Sequence, residues 1–251
     1  MRRVEQLLRA TAKAEGSHFW FRGFRAFVTP FIHQALGDRP GATILDCGCG
    51  TGANVGMLNR FGRAFGFDLS PVGLQIAREA GRSRLVRATV TAAPFPAACF
   101  DLVTSFDVLY SLDEPDERQA VAEMFRVTRR GGYALINVAA MKMLGGDHSI
   151  LSREVRRYSR AELHRLVADA GFTVVRLTYT NCSLFLPLAA MRLLQRRRGV
   201  PPLKAAEREI SVPPAPINAA LTTVLWLESR WIRYADCPFG SSLVCLARKP
   251  A

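Results

Sequence analysis

The sequence lacks the features that mark membrane-spanning, secreted and metal-binding chains. No apolar run reaches the ~18–20 residues of a membrane span, and the first residues, MRRVEQLLRATAKAEG, contain no apolar signal core. The six cysteines show neither C-x-x-C pairs nor the density of a disulfide scaffold. Cys47 and Cys49 stand inside a glycine loop as small residues, so no metal is assigned. We therefore expect a reduced, cytoplasmic compartment.

Lysine is also scarce, since Lys13, Lys142, Lys204 and Lys249 are the only lysines and arginine supplies the rest of the 34 cations. Against 21 acids these cations give a net charge of +13. An excess of this size suits an anionic partner such as nucleic acid, an anionic lipid or an anionic substrate. An enzyme with an arginine-rich surface explains it too, and we favour that interpretation.

Strand and helix patterns alternate along the first 140 residues, and a hydrophobic content of 49% in 251 residues is enough for a packed core. Strands are predicted at 42–47, 63–68, 84–88, 100–106 and 133–139. One helix follows Ser70 as its N-cap, with Pro71 in first position. Another spans 115–129 and is stopped by Gly131-Gly132. This alternation predicts a parallel sheet with right-handed crossovers.

Residues 159–170 begin with a capping box, Ser159 to Glu162, and strands follow at 172–180 and 241–248. Two segments break the alternation: the first 40 residues, and 186–238 with its proline-rich hinge. The interpretation is an N-terminal helical lid (1–40), a core (41–185), a helical insertion (186–238) and a final core strand (239–251).

A loop of alternating glycines lies between the first strand and a helix, in the run Asp46-Cys47-Gly48-Cys49-Gly50-Thr51-Gly52. The acid, Asp46, stands at the end of the strand. The dinucleotide fingerprint is G-x-G-x-x-G, whereas here an acid ends the strand and the glycines alternate. That acid would repel a pyrophosphate and attract an ammonium group. Asp68 ends the next strand, where an acid accepts hydrogen bonds from ribose hydroxyls. An amino-acid end and a nucleoside end together describe S-adenosylmethionine.

Four ordered segments resemble the class I S-adenosylmethionine-dependent methyltransferases, over residues 40–185. They are ILDCGCGTG, GFDLSPVGLQIARE, APFPAACFDLVTSFDVLYSL and EMFRVTRRGGYALINV. The segments HFWFR at 18–22, RRYS at 156–159 and PFG at 238–240 are similar to a bacterial subgroup linked to lipid, glycan or secondary-metabolite pathways. The resemblance implies a Rossmann-like, doubly wound α/β sheet of seven strands with an antiparallel last strand.

The same resemblance implies a cofactor site at the carboxyl ends of the first four strands, under the N-terminal lid. After the third strand the family usually has an acid for the adenine amine, and this chain has Ala88-Thr89-Val90 instead, so we expect Thr89 to bond and Val90 to pack there. The cofactor-binding residues expected are Asp46, Cys47, Gly48, Gly50, Gly52, Asp68, Leu69, Thr89, Val90, Phe106, Trp20 and Arg22.

The loops after the fourth and fifth strands are expected to face the methyl acceptor. His148 is the best general base because the ordinary pKa of histidine lies near the operating pH, and Tyr110 and Tyr158 join it as catalytic candidates. The predicted substrate-binding residues are Arg156, Arg157 and Glu154; alternatively, the arginines pair with Glu154 and Glu162. A base is needed only if the nucleophile carries a proton.

The function predicted is methyl transfer from S-adenosylmethionine to a small-molecule or lipid-linked acceptor in a biosynthetic pathway. A nucleic-acid acceptor is disfavoured, because no RNA-binding module is recognisable and residues 106–109 (FDVL) lack the N-P-P-Y/F type of run. The alternatives are an RNA or protein methyltransferase and a cofactor-binding module without turnover. A nicotinamide oxidoreductase is disfavoured by the glycine spacing, and no oligomeric state is assigned.

The insertion at 186–238 carries apolar runs next to clustered arginines. Such a pattern is typical of a helix resting on an anionic membrane surface, which would make the protein membrane-peripheral. The other interpretation, which we favour at this point, is a pair of helices covering an apolar acceptor pocket.

Overall fold

The structure, a computed structural model, describes residues 2–141, 155–187 and 211–251, with side chains from residue 8 onward. Its described helices are α1 (Arg2–Ala14), α2 (Phe19–Leu36), α3 (Ala53–Leu58), α4 (Pro71–Glu79), α5 (Glu114–Val127), α6 (Arg160–Asp169) and α7 (Ala215–Trp231), with a 3₁₀ turn at Leu109–Ser111. Its strands are β1 (Thr43–Cys47), β2 (Arg63–Asp68), β3 (Leu85–Arg87), β4 (Phe100–Phe106), β5 (Thr128–Ala139), β6 (Thr173–Thr180) and β7 (Ser242–Arg248).

The seven strands form one sheet in the order β3-β2-β1-β4-β5-β7-β6. Strands β1 to β5 pair in parallel, and β7 runs antiparallel to both of its neighbours. The expected seven-stranded sheet with an antiparallel last strand is confirmed. The strand order reverses between β1 and β4, and a ligand crevice lies at such a switch point, outside the carboxyl ends of the strands.

Helices cover both faces of the sheet and bury an apolar core on each. On one face, α5 and α6 place Val121, Met124, Leu163 and Val167 against the strands. The opposite core is built on α2, α3, α4 and α7, and its helix side chains include Phe27, Phe31, Val55, Leu58, Leu74 and Leu225. The predicted doubly wound arrangement is therefore confirmed.

Capping residues begin the helices where the sequence predicted them. The Ser70 hydroxyl accepts a bond from the Gly73 N–H, with Pro71 at the first position of α4. Ser159 and Glu162 form a reciprocal capping box at the start of α6. Such caps satisfy backbone N–H groups that the first helical turn leaves unpaired.

The predicted end of the helix at 115–129 is wrong. Helix α5 ends at Val127, and β5 begins directly at Thr128, whose hydroxyl donates to the Met124 carbonyl at 2.6 Å. The double glycine lies inside β5, where the register against β4 shifts between Phe100 and Leu102. Gly131 has a φ of +72°, so the pair forms an irregularity in a strand rather than a helix stop.

The structure describes residues 186–187 and 211–238 of the predicted insertion, and helix α7 forms the larger part of them. Residues 188–210 lie outside the described residues. The Asn218 amide accepts from the Phe19 N–H at 2.8 Å and donates to the Ser17 carbonyl at 2.9 Å, at the start of α2. The Glu228 carboxylate accepts from the N–H groups of Cys182 and Ser183, after β6. Of the described helices, none has the length and apolarity to cross a membrane.

The packing of α2 on α7 predicts the effect of Gly23→Ala. In a helix interior this change normally stabilises by about 0.5–1 kcal/mol. Here the new methyl would overlap the Leu225 side chain, which is fully buried, so we expect net destabilisation of about 1–3 kcal/mol in urea unfolding.

The control is a double-mutant cycle with Leu225→Ala, which removes the Leu225 Cδ1 atom 2.4 Å from the new methyl and leaves the Leu225 Cβ at 2.9 Å. In that background Gly23→Ala should be clearly less destabilising. Equal effects in both backgrounds would show that α2 and α7 do not pack as described.

Candidate functional site

The glycine loop between β1 and α3 is shaped by left-handed backbone and by β2. Gly48, Gly50 and Gly52 have φ values of +77°, +52° and +74°. The Gly48 and Cys49 N–H groups both donate to the Phe67 carbonyl, at 2.9 and 3.0 Å. A Cβ on Gly48 would lie 2.5 Å from the Val108 side chain, so only glycine lets the loop approach the end of β4.

Asp46 is a buried carboxylate at the end of the central strand β1, with 1% of its surface exposed. Its Oδ1 accepts a bond from the Thr104 hydroxyl at 2.7 Å, whereas its Oδ2 is buried and has no hydrogen-bond partner in the structure. Burial, reinforced by the nearby Asp68 charge, raises the pKa of Asp46 to about 7, although the Thr104 bond lowers it. This unsatisfied oxygen can receive a cation or a donor group.

Asp68 stands at the end of the neighbouring strand and ties that strand to the glycine loop. Its Oδ2 accepts from the Gly50 N–H at 2.8 Å, and its Oδ1 accepts from the Ser70 N–H at 2.7 Å. A carboxylate offers about four acceptor positions, so two remain for a further donor. The next residue, Leu69, is 63% exposed and presents an apolar side chain beside the carboxylate.

Thr89 and Val90 follow β3 and Phe106 ends β4, and these two strands lie on either side of β2 and β1, which carry Asp68 and Asp46. Thr89 and Val90 come shortly after β3, which pairs with β2 up to Asp68 and Arg87. The Thr89 and Thr91 hydroxyls lie 2.9 Å apart. Phe106 ends β4, is 7% exposed and meets Phe24 of α2 edge to face, with ring centroids 5.0 Å apart.

The N-terminal helices meet the glycine loop through residues that sequence reasoning missed. The Thr51 hydroxyl donates to Glu15 Oε2 at 2.7 Å, and burial raises the pKa of Glu15. A Cβ built on Gly50 would lie 3.9 Å from the Leu8 side chain. No local pattern marks Leu8 or Glu15, because both act through tertiary contacts more than 30 residues away.

Trp20 and Arg22 belong to the first turns of α2. The Trp20 N–H donates to His18 Nδ1 at 3.1 Å, so the buried His18 caps this helix. Trp20 is half-buried and Arg22 is exposed. Their predicted contact with the cofactor stays a prediction.

The segment that follows β5 on the predicted acceptor side is pinned to the 3₁₀ turn. The carbonyl of Tyr110 accepts from the Val155 and Arg156 N–H groups, at 2.8 and 3.3 Å. The Arg156 guanidinium forms an ion pair with the buried carboxylate of Glu117 on α5. The structure thus pairs Arg156 with an acid of α5 that the sequence did not suggest, and the alternative pairing with Glu154 and Glu162 stays a prediction.

Tyr158 and Arg157 are also engaged in packing. Tyr158 is 3% exposed, and burial together with the adjacent Glu117 raises its pKa well above the usual range. A phenol held in its protonated form is a poor base, so this setting disfavours the predicted catalytic role of Tyr158. The Arg157 guanidinium donates to the Ala140 carbonyl at 2.9 Å. His148 and Glu154 lie outside the described residues.

Asp107 follows β4 at the same edge of the sheet, where the sequence places it on the ligand side without a binding or catalytic role. Its φ of +59° is unusual for a residue with a side chain, and such strain is concentrated at functional sites. Its Oδ1 accepts from the buried Asn137 amide on β5 at 2.8 Å. The side chain is exposed, and its neighbour Val108 contacts the glycine loop, so this carboxylate lies between the loop and the acceptor side.

These observations fit the cofactor expected from the sequence. The unpartnered Asp46 oxygen suits an ammonium group, the remaining acceptor capacity of Asp68 suits a diol, and the exposed Leu69 suits a flat apolar base. The same edge carries a third carboxylate, Asp107, directly after β4.

Comparison with protein families matches residues 45–136 to a methyltransferase domain. A relative from Mycolicibacterium smegmatis, named a probable S-adenosylmethionine-dependent methyltransferase, is 29% identical over 62% of this chain and 60% of its own. A malonyl-[acyl-carrier protein] O-methyltransferase from Serratia marcescens is 36% identical over 52% of this chain and 51% of its own. The chain thus spans less than two thirds of both relatives. A tRNA methyltransferase from Arabidopsis thaliana also matches, so the acceptor varies among relatives.

Solved structures show the same fold at low identity. An S-adenosylmethionine-dependent methyltransferase from Mesorhizobium loti has a TM-score of 0.55 at 15% identity, covering 88% of this chain and 97% of that one. The [4+2]-cyclase SpnF has a TM-score of 0.57 at 21% identity, covering 90% and 81%. The likeness therefore establishes the architecture, while the chemistry depends on the site.

The burial of Asp46 predicts how Asp46→Asn changes stability with pH. Between about pH 4 and 7 the folded protein holds a proton that the unfolded chain has released, so this group's contribution to stability falls as pH rises through about 7. The variant has no charge to bury. Its stability relative to wild type should increase by about 2–3 kcal/mol between pH 5 and pH 8, measured by urea unfolding of ligand-free protein.

Asp38→Asn is the matched control, because it removes an exposed carboxylate in the turn between α2 and β1. Its unfolding profile should run parallel to that of the wild type. A parallel profile for Asp46→Asn as well would show that the Asp46 carboxyl is not held at a raised pKa.

Proposed function

We propose that this chain, whose residues 45–136 match a methyltransferase domain, is a class I S-adenosylmethionine-dependent methyltransferase that transfers a methyl group to a small-molecule or lipid-linked acceptor. The products are the methylated acceptor and S-adenosylhomocysteine. The observation that carries the proposal is the buried, unpartnered oxygen of Asp46 beside the ribose-competent carboxylate of Asp68. That pair suits an amino acid joined to a nucleoside.

Different residues of the site bind different parts of the cofactor. Asp46 attracts the ammonium group, and the glycine loop lets the backbone approach it closely. Asp68 accepts bonds from the ribose hydroxyls, and Leu69, Thr89 and Val90 lie where the base would pack. The bound cofactor supplies a methyl group that is already activated as part of a sulfonium.

The main task left to the protein is alignment and the exclusion of water. Phe106 and Phe24 supply an apolar wall at the end of β4. Asp107, oriented by Asn137, is placed to accept a hydrogen bond or a proton from an acceptor hydroxyl or amine. Tyr110 belongs to the same side of the site, and the role proposed for His148 stays a prediction.

Two observations favour a small-molecule or lipid-linked acceptor. One relative is named for methylating a malonyl group on a carrier protein, which favours a small acyl-type acceptor. The sequence also shows no recognisable RNA-binding module. A tRNA methyltransferase among the relatives and the net charge of +13 favour RNA as the second candidate.

Asp68→Ala tests the cofactor site. It removes charge-assisted hydrogen bonds, so affinity for S-adenosylhomocysteine in calorimetry should drop about 10–150-fold. Ser70→Ala is the matched control, because it removes the cap of the same helix and costs stability without touching the carboxylate. An Asp68→Ala variant that is folded and binds like wild type would contradict the ribose assignment.

A second experiment identifies the acceptor class. Protein and methyl-labelled S-adenosylmethionine are added to a bacterial extract, which is then separated into solvent-extracted lipid, small-molecule, nucleic-acid and protein fractions. We expect label in the lipid or small-molecule fraction, and none with Asp68→Ala. Label in the nucleic-acid or protein fraction would contradict the proposed acceptor, and label in no fraction would favour a binding module without turnover.

A further inference from the structure

Helix α7 reverses the usual distribution of polar and apolar side chains. The face turned to the protein buries polar Asn218, Glu228 and Ser229 around Leu225. The apolar residues lie outside: Ile217 is 52% exposed, Val224 38%, Leu227 56% and Trp231 61%. A helix that only covered the core would bury these four and expose the polar ones.

The four exposed residues, here called the α7 stripe, form one continuous band. Their spacing of seven, three and four positions puts them on a single side of the helix, which spans 17 residues or about 25 Å. Tyr234, which is 85% exposed, follows one turn beyond Trp231. Single exposed apolar residues are ordinary, but an aligned band of this length indicates an interaction surface.

The charges around the stripe favour an anionic occupant. Arg230 and Arg233 are exposed on α7 and its end, and the Arg230 guanidinium lies 5.6 Å from the ring centre of Trp226, itself 51% exposed. Glu228 is the acid within α7, and it is buried and bonded to the loop after β6. Asp236, beyond the helix, is ion-paired with Arg176.

We propose that the α7 stripe is a membrane-docking surface that lies in the headgroup region of a bilayer rich in anionic lipid. Tryptophan and tyrosine prefer that region because their rings are apolar and carry one polar group. Arginines beside an apolar helix face bind anionic headgroups. A second copy of the chain is a poorer occupant, because two molecules of net charge +13 repel each other.

The position of α7 connects this surface with the acceptor side of the sheet. The amino-terminal half of α7 is bonded through Asn218 to the start of α2, and α2 carries the Phe24 that meets Phe106 at the end of β4. Docking along α7 would therefore hold the carboxyl edge of the sheet near the bilayer, where a lipid-linked acceptor resides. This last step depends on the proposed function, whereas the docking itself does not.

Vesicle flotation tests the proposal with the full chain. Vesicles of phosphatidylcholine alone are compared with vesicles containing about one third phosphatidylglycerol, at low and high salt. We expect binding to the anionic vesicles only, weakened by salt. Leu227→Ser with Trp231→Ser should reduce binding at least ~10-fold, and Arg230→Gln with Arg233→Gln should reduce it about five-fold per arginine.

Two matched controls distinguish docking through α7 from non-specific binding through any exposed apolar or basic side chain. Val86→Ser removes an apolar side chain, 40% exposed, from the edge strand β3, and Arg60→Gln with Arg78→Gln removes two exposed charges away from α7. Both should bind like wild type. Equal losses in the controls, equal binding to neutral vesicles, or no binding at low salt would overturn the proposal.

The remaining outcomes concern a second copy and the cofactor. Sedimentation that shows a dimer broken by Leu227→Ser with Trp231→Ser, without vesicle binding, would assign the stripe to self-association and overturn the proposal. Calorimetry with S-adenosylhomocysteine should give wild-type affinity for every α7 variant. Failure of docking with cofactor binding intact would leave the methyltransferase proposal standing.

Discussion

The site depends on one energetically expensive feature, the burial of the Asp46 carboxylate at the end of the central strand. Thr104 satisfies one oxygen and leaves the other without a partner. A buried charge of this kind lowers stability unless something pairs with it. Binding of an ammonium group would pair this oxygen, so the free energy lost by burying it unpaired would be recovered as binding free energy.

The surrounding structure serves to keep that carboxylate in place and the space beside it open. Asp68 holds the glycine loop through the Gly50 N–H, and Val108 closes against Gly48 from the end of β4. The strand order turns between β1 and β4, so these groups come from three neighbouring strand ends. Leu8 of α1 and Glu15 in the turn after it contact this loop, and the lid role expected for residues 1–40 stays a prediction.

The sequence predicts the features that depend on local chemistry. The strands, the Ser70 and Ser159 caps and the acid-glycine loop were predictable because periodicity, capping and turn geometry are properties of short segments. The end of α5 was not, because a double glycine fits a helix stop and a strand irregularity equally well, and only the pairing with β4 distinguishes them. The Arg156–Glu117 pair was missed because α5 supplies its acid from 39 residues away in the chain.

Helix α7 shows how a sequence pattern can be detected while its meaning stays open. Apolar runs next to clustered arginines suited both a lid and a membrane helix, because periodicity does not say which face meets the protein. For α7, two polar contacts show which face that is. Asn218 and Glu228 fix the rotation of the helix by bonding to α2 and to the loop after β6, and that rotation turns Leu227 and Trp231 outward. Buried polar side chains thus decide the orientation, since turning α7 to bury its apolar residues would leave both of these groups, and the backbone groups they satisfy, without partners.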